Sequence, residues 1–194
     1  MSSPASVLEP GAALAVDLVA AGSIEMGAHR PQDARAIAAL LPAGTPVYVN
    51  HLPRHSLADS LASLVAVREA GLEPVPHIAA RRIAGRAELE DFLARAVAEA
   101  GVRKALVIGG DEAEARGPFG DGASLIRTGA LAAAGLREIG LPGYPEGHPR
   151  IPLMELERDL AEKRQLAAAQ GLGVYVVTQF SFAPARVIEY CAAL

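Results

Sequence analysis

KALVIGGD, residues 104–111, decides how this chain is read. KALVIGG (104–110), an apolar run with two glycines at its end, reads as a strand, and an aspartate follows it. An apolar run this short, with no polar alternation and a glycine stop, suits a strand buried on both faces, as in a parallel sheet covered by helices. The same pattern recurs on either side of it. SIEM (23–26), PVYVN (46–50), EPVPHI (73–78), REIGLPG (137–143) and GVYVVTQF (173–180) all read as strands. Between them lie Ala- and Leu-rich stretches with charges at helical spacing: SLADSLASLVAVREAG (56–71), ELEDFLARAVAEAG (88–101) and MELERDLAEKRQLAAAQG (154–171), with glycine at C-cap positions. APARVIEYCAAL (183–194) predicts a last helix.

Alternating strands and helices predict an α/β protein of about six βα units, either closing as a barrel or open and doubly wound. No linker or low-complexity segment interrupts residues 1–194, so a single domain is expected. A (βα)8 TIM barrel needs eight strands and typically about 250 residues. The chain has 194 residues, which predicts an incomplete barrel or an open six-stranded sheet.

Composition narrows the function. Hydrophobic residues make up 51% of the chain, which argues for a folded core rather than disorder. The 18 basic and 22 acidic residues are dispersed, and no basic stripe suggests a nucleic-acid partner. A single cysteine, Cys191, cannot form an intrachain disulfide, which fits a reducing, cytoplasmic setting. The apolar N-terminal stretch lacks a basic n-region and carries Glu9 and Asp17, so it reads as a loop and helix rather than a signal peptide. No uninterrupted apolar run reaches the roughly 18 residues of a membrane span.

Almost every expected strand ends in a polar group, at the end where parallel α/β folds place their chemistry. Glu25 is on the first, Asn50 and His51 end the second, His77 the third and Asp111 the fourth; Tyr144, Glu146 and His148 follow the fifth, and Gln179 the sixth. This shared rim favours the incomplete barrel. Glu25 sits in an apolar strand, where burial would raise its pKa and suit it to general acid catalysis, unless Arg30, Arg81 or Arg82 pairs with it. Gly109 and Gly110 let a flat ligand approach the backbone. Neither a dinucleotide fingerprint nor a P-loop is present. A metal site drawn from His51, His55, His77, His148, Glu25 and Asp111 is disfavoured, because Pro53 in HLPRH breaks the helix that would align His51 with His55. GxSxG is absent, and Cys191 lies in the last helix, away from the rim.

Taken in order, SIEMG, PHIAAR, LVIGGD, GYPEGHP and VVTQFSF resemble the methylenetetrahydrofolate reductase family, most closely its shorter bacterial members. The resemblance implies a flavin-containing (βα)8 barrel that binds FAD and carries a hydride from NAD(P)H to 5,10-methylenetetrahydrofolate, giving 5-methyltetrahydrofolate. It implies Glu25 as the acid that helps open the folate ring, and Asp111 beside flavin and pterin. It implies His77, Gly109, Gly110, Asp111, Thr128, Tyr144, His148 and Lys163 around FAD, the last meeting its phosphates, and Gln179 on the substrate. Two departures stand out: the chain ends after its sixth βα unit, and SFA replaces the aromatic-aromatic-acid sequence usual after TQ. A six-unit barrel leaves open strand edges, which predicts a homo-oligomer, another partner subunit or a longer parent chain. Competing readings are a folate-dependent demethylase, another flavin-dependent oxidoreductase, and a non-catalytic assembly module.

Overall fold

In the computed structural model, which describes residues 10–194, all six expected strands are present. In chain order the elements are α1 (Pro10–Ala20), β1 (Ile24–Met26), α2 (Asp33–Ala38), β2 (Pro46–Val49), α3 (Leu57–Glu69), β3 (Glu73–Ala79) and a 3-10 turn (Ala80–Arg82). Then come α4 (Arg86–Ala100), β4 (Lys104–Ile108), α5 (Gly122–Ile126), α6 (Ala130–Ala133), β5 (Glu138–Gly143), α7 (Leu153–Ala169), β6 (Gly173–Thr178) and α8 (Pro184–Ala192). The expected N-terminal helix corresponds to α1; the expected leading loop lies largely outside the described residues.

The strands form one sheet in the order β1-β2-β3-β4-β5-β6, and every pair is parallel. Each crossover therefore steps the same way, and right-handed crossovers put all the helices on one face. A doubly wound sheet needs a point where the strand order reverses. There is none here, so the open doubly wound alternative is corrected. The sheet curls into a half-barrel with its helices outside.

Side chains alternate along each strand, so one set faces the helices and the other the concave side. Val47, Val49, Ile78, Ala105, Val107, Ile139 and Leu141 point outward and pack with Leu64, Leu89, Leu93, Leu125 and Leu131 in a single buried core. The concave set follows from the register. Glu25 lies beside Tyr48, and His77 beside Leu106; Leu106 is beside Gly140, and Gly140 beside Tyr175. A Cβ on Gly140 would lie 2.8 Å from the Tyr175 ring, so glycine there is what allows the ring to lie across β5. At the opposite end of the strands Lys104 bridges Glu73 (3.4 Å) and Glu138 (3.5 Å).

The core thins toward both ends of the sheet. β6 is nowhere fully buried and α8 contributes no buried residue. Leu14, Leu18 and Val19 of α1, together with Phe180 and Phe182, are exposed. Among the described residues β1 and β6 each pair on one side only, as the six-unit reading predicts. No helix among them is long and apolar enough to cross a membrane.

Candidate functional site

The C-terminal ends of β1, β2 and β3 bring three of the expected rim residues together. Asn50 Nδ2 donates to Glu25 Oε1 (3.1 Å), and Glu25 Oε2 lies 3.9 Å from His77 Nε2. The Tyr48 ring meets His77 edge-on at 5.7 Å. Burial pushes the His77 imidazole below its ordinary value, and the Glu25 carboxylate works in the other direction.

One expectation about Glu25 fails on its premise. Its side chain is 56% exposed, because β1 is an edge strand and nothing among the described residues covers the concave side there, so the expected burial is absent. The expected arginine partners are also elsewhere. Arg30 pairs with Asp33, while Arg81 and Arg82 turn to backbone carbonyls and Glu112.

The β4 and β5 loops form a second group. Gly110 has φ +96°, a backbone conformation that side-chain-bearing residues rarely adopt, which accounts for glycine there. A Cβ on Gly109 would meet nothing, leaving an open ledge. Asp111 is 98% exposed, with Arg150 Nη2 3.8 Å away. The Arg150 N–H donates to His148 Nδ1 (3.2 Å), and the His148 ring meets Tyr144 edge-on at 5.3 Å. Tyr144 borders a cleft of about 240 Å3 between β5, α7 and α8 that also reaches Tyr190 and Arg164. Burial, then the carboxylates of Asp159 and Asp111, pushes the Tyr144 phenol up.

The remaining expected residues join neither group. Thr128 spends its hydroxyl locally, donating to the Leu125 carbonyl (2.7 Å) and accepting from the Ala130 N–H (3.1 Å) between α5 and α6. Lys163 is 6% exposed, packs against Gly122 and is bound by Asp159 one helical turn away. Gln179 is exposed just past β6, where its N–H donates to the Gly143 carbonyl (2.8 Å); Glu25 stands at the opposite edge of the sheet.

Sequence reading missed a third assembly, centred on Arg82. Its Nη1 donates to the His51 carbonyl (3.1 Å), its Nη2 to the His55 carbonyl (3.0 Å), and its Nε lies 3.4 Å from Glu112 Oε1. One guanidinium thus ties the β2 loop to the β4 loop. The adjacent arginine in the RR pair of residues 81–82 was the available signal, but nothing local tells which acceptors a guanidinium will find. His51 is packed beneath this clamp, and burial, then Arg82, then His77, His55 and Arg116, holds its imidazole down to about 4. Its unfolded value is about 6.5. The folded state therefore binds fewer protons between those limits, and its stability falls as pH drops from about 6.5 to 4, by about 3 kcal/mol in all. His77 acts in the same sense. Urea unfolding of wild type and His51→Gln at pH 7 and pH 4 should show the wild type losing more stability to acid than the variant. An equal loss in both would refute the assignment.

No protein-family model matches the chain.

Proposed function

We propose that the chain is a flavin-dependent reductase of a folate-bound one-carbon group, built on six units of a (βα)8 TIM-type barrel, with Glu25 as the proton donor. The observation that carries this reading is the Glu25–Asn50–His77 arrangement at the mouth of an open concave face. Asn50 holds one carboxylate oxygen, and the other lies 3.9 Å from an imidazole whose charged form burial disfavours. A planar ligand laid over this face would displace the water around Glu25, favour its protonated form and let it deliver a proton to a ring nitrogen. Tyr48, Tyr175 and Leu106 offer an aromatic and apolar floor for such a ligand. These concave positions were legible only as alternate residues of strands already assigned.

The fit to FAD is good at one end only. The open ledge at Gly109, with His77 to one side and Asp111 beyond it, accommodates a flat ring system, and a bound flavin would supply the hydride. The groups that the resemblance assigns to the rest of the cofactor do not fit: Lys163 is buried on Asp159 and the Thr128 hydroxyl is fully engaged. That mismatch favours a second reading, a folate-binding methyl acceptor that uses no flavin.

Titration of the purified chain with FAD at micromolar concentrations separates the two. The reductase reading predicts a shifted flavin absorbance band and quenched flavin fluorescence. A protein that leaves both unchanged while binding tetrahydrofolate would replace it with the methyl-acceptor reading.

A further inference from the structure

The Arg82 clamp roofs one side of a cleft of about 510 Å3, the size range of small-ligand sites. The cleft lies where the β2, β3 and β4 loops meet, next to the Glu25 group but separate from it. Four arginines border it, Arg54, Arg81, Arg82 and Arg116, against only two carboxylates, Glu88 and Glu112. Arg82 is answered by Glu112 and Arg116 by Glu88 (3.3 Å). Among the described residues Arg81 has no carboxylate partner: it donates to the backbone carbonyls of Gly120 (2.7 Å) and Glu112 (2.9 Å). Arg54 is exposed and makes neither an ion pair nor a side-chain hydrogen bond among the described residues. The cleft therefore carries a surplus of positive charge, with Arg81 held by backbone carbonyls and Arg54 left exposed at its border.

Two further features point to an anion. The cleft reaches Ser56 and Leu57, the start of α3, a helix of 13 residues. Ser56 and Asp59 cap each other there, and Ser56 Oγ accepts the Asp59 N–H, leaving the two amides before it to find acceptors outside the helix. His51, 7% exposed, borders the cleft, and its Nδ1 is buried with no partner among the described residues. A buried polar nitrogen without a partner is costly unless a ligand or water completes it.

We infer that this cleft is an anion subsite, in which Arg54, Arg81 and the first turn of α3 hold a phosphate or carboxylate group of a ligand beside His51. Phosphate and carboxylate each present a pair of acceptor oxygens that a guanidinium fork takes bidentately. The inference rests on the cleft itself and does not require the flavin reading.

Isothermal titration calorimetry of the full chain tests it with three probes: inorganic pyrophosphate, ADP and 4-aminobenzoyl-L-glutamate. At least one should bind with a Kd below about a millimolar. Binding by pyrophosphate and ADP alone identifies a phosphate group as the ligand; binding by 4-aminobenzoyl-L-glutamate alone identifies a carboxylate. Arg54→Glu should weaken whichever binds by at least ten-fold, while Arg54→Lys keeps most of the affinity. Arg54 is exposed, so both variants should melt with the wild type, and His51 ring resonances should shift on titration in the wild type. Failure of all three probes to bind, or undiminished binding by Arg54→Glu, would overturn the subsite while leaving the FAD titration unaffected.

Discussion

Replacing Arg82 by alanine should cost about 3–5 kcal/mol, as expected when one partner of a largely buried ion pair is removed. The side chain is 11% exposed and holds three acceptors at once: the carbonyls of His51 and His55 and the Glu112 carboxylate. Its removal leaves Glu112, whose Oε2 is already buried without a partner, as an uncompensated charge. Two loop carbonyls lose their donor as well, each worth about 1 kcal/mol. Lysine is no substitute, since an ammonium lacks the planar fork that reaches three separated acceptors. Urea unfolding at pH 7 measures the loss. A change below about 1 kcal/mol would mean that the β2 and β4 loops hold their positions without the clamp.

Glu25→Gln carries the largest expected effect on activity. Glutamine keeps an oxygen to accept from Asn50 Nδ2, so the geometry survives while the transferable proton is lost. General acid catalysis of this kind contributes about 10²–10⁴-fold, so on the proposed reductase reading kcat for a methylenefolate substrate should fall by that factor with ligand binding retained. Since Glu25 is largely exposed, stability should shift by no more than about 0.5 kcal/mol. Undiminished turnover would remove Glu25 from the chemistry and send the search for a proton donor to His77 or Asp111.

The strands were legible because their cause is local. Runs such as KALVIGG and EPVPHI are short and largely apolar, and each corresponds to a strand with ends shifted by only a residue or two. The long helices over 56–71, 88–101 and 154–171 were legible from charge spacing and glycine stops in the same way. The short helices α2, α5 and α6 were not, because four to six residues give too little periodicity to read.

The site was legible only in part, for a physical reason. Position along a strand says which end of the sheet a residue occupies, and it brought Glu25, Asn50 and His77 to one place. It does not say what will cover a side chain. Glu25 reads as buried from its apolar neighbours, yet those neighbours face the helices while it faces the open side. Lys163 reads as an exposed basic residue on a helix, but its packing against Gly122 and its bond to Asp159 depend on how α5 and α7 meet. Helix-to-helix packing of that sort leaves no mark in the flanking sequence.

The six strands stand in the sheet in the order in which they leave the ribosome. No strand has to wait for a later one: Ile24 can meet Val47 as soon as one βα unit has emerged, and Glu138 can meet Gly173 on the same terms. Every pairing closes a loop of about one unit, so the entropy of closure stays nearly constant from the first pairing to the last. Growth is then templated, each nascent strand docking on the edge left by its predecessor while synthesis continues at roughly 5–20 residues per second. A sheet whose strand order reverses must instead pair some of its strands only after distant sequence arrives. Here the outer edge of β1 stays unpaired among the described residues, and each edge after it is closed by the next strand to emerge, as far as β6.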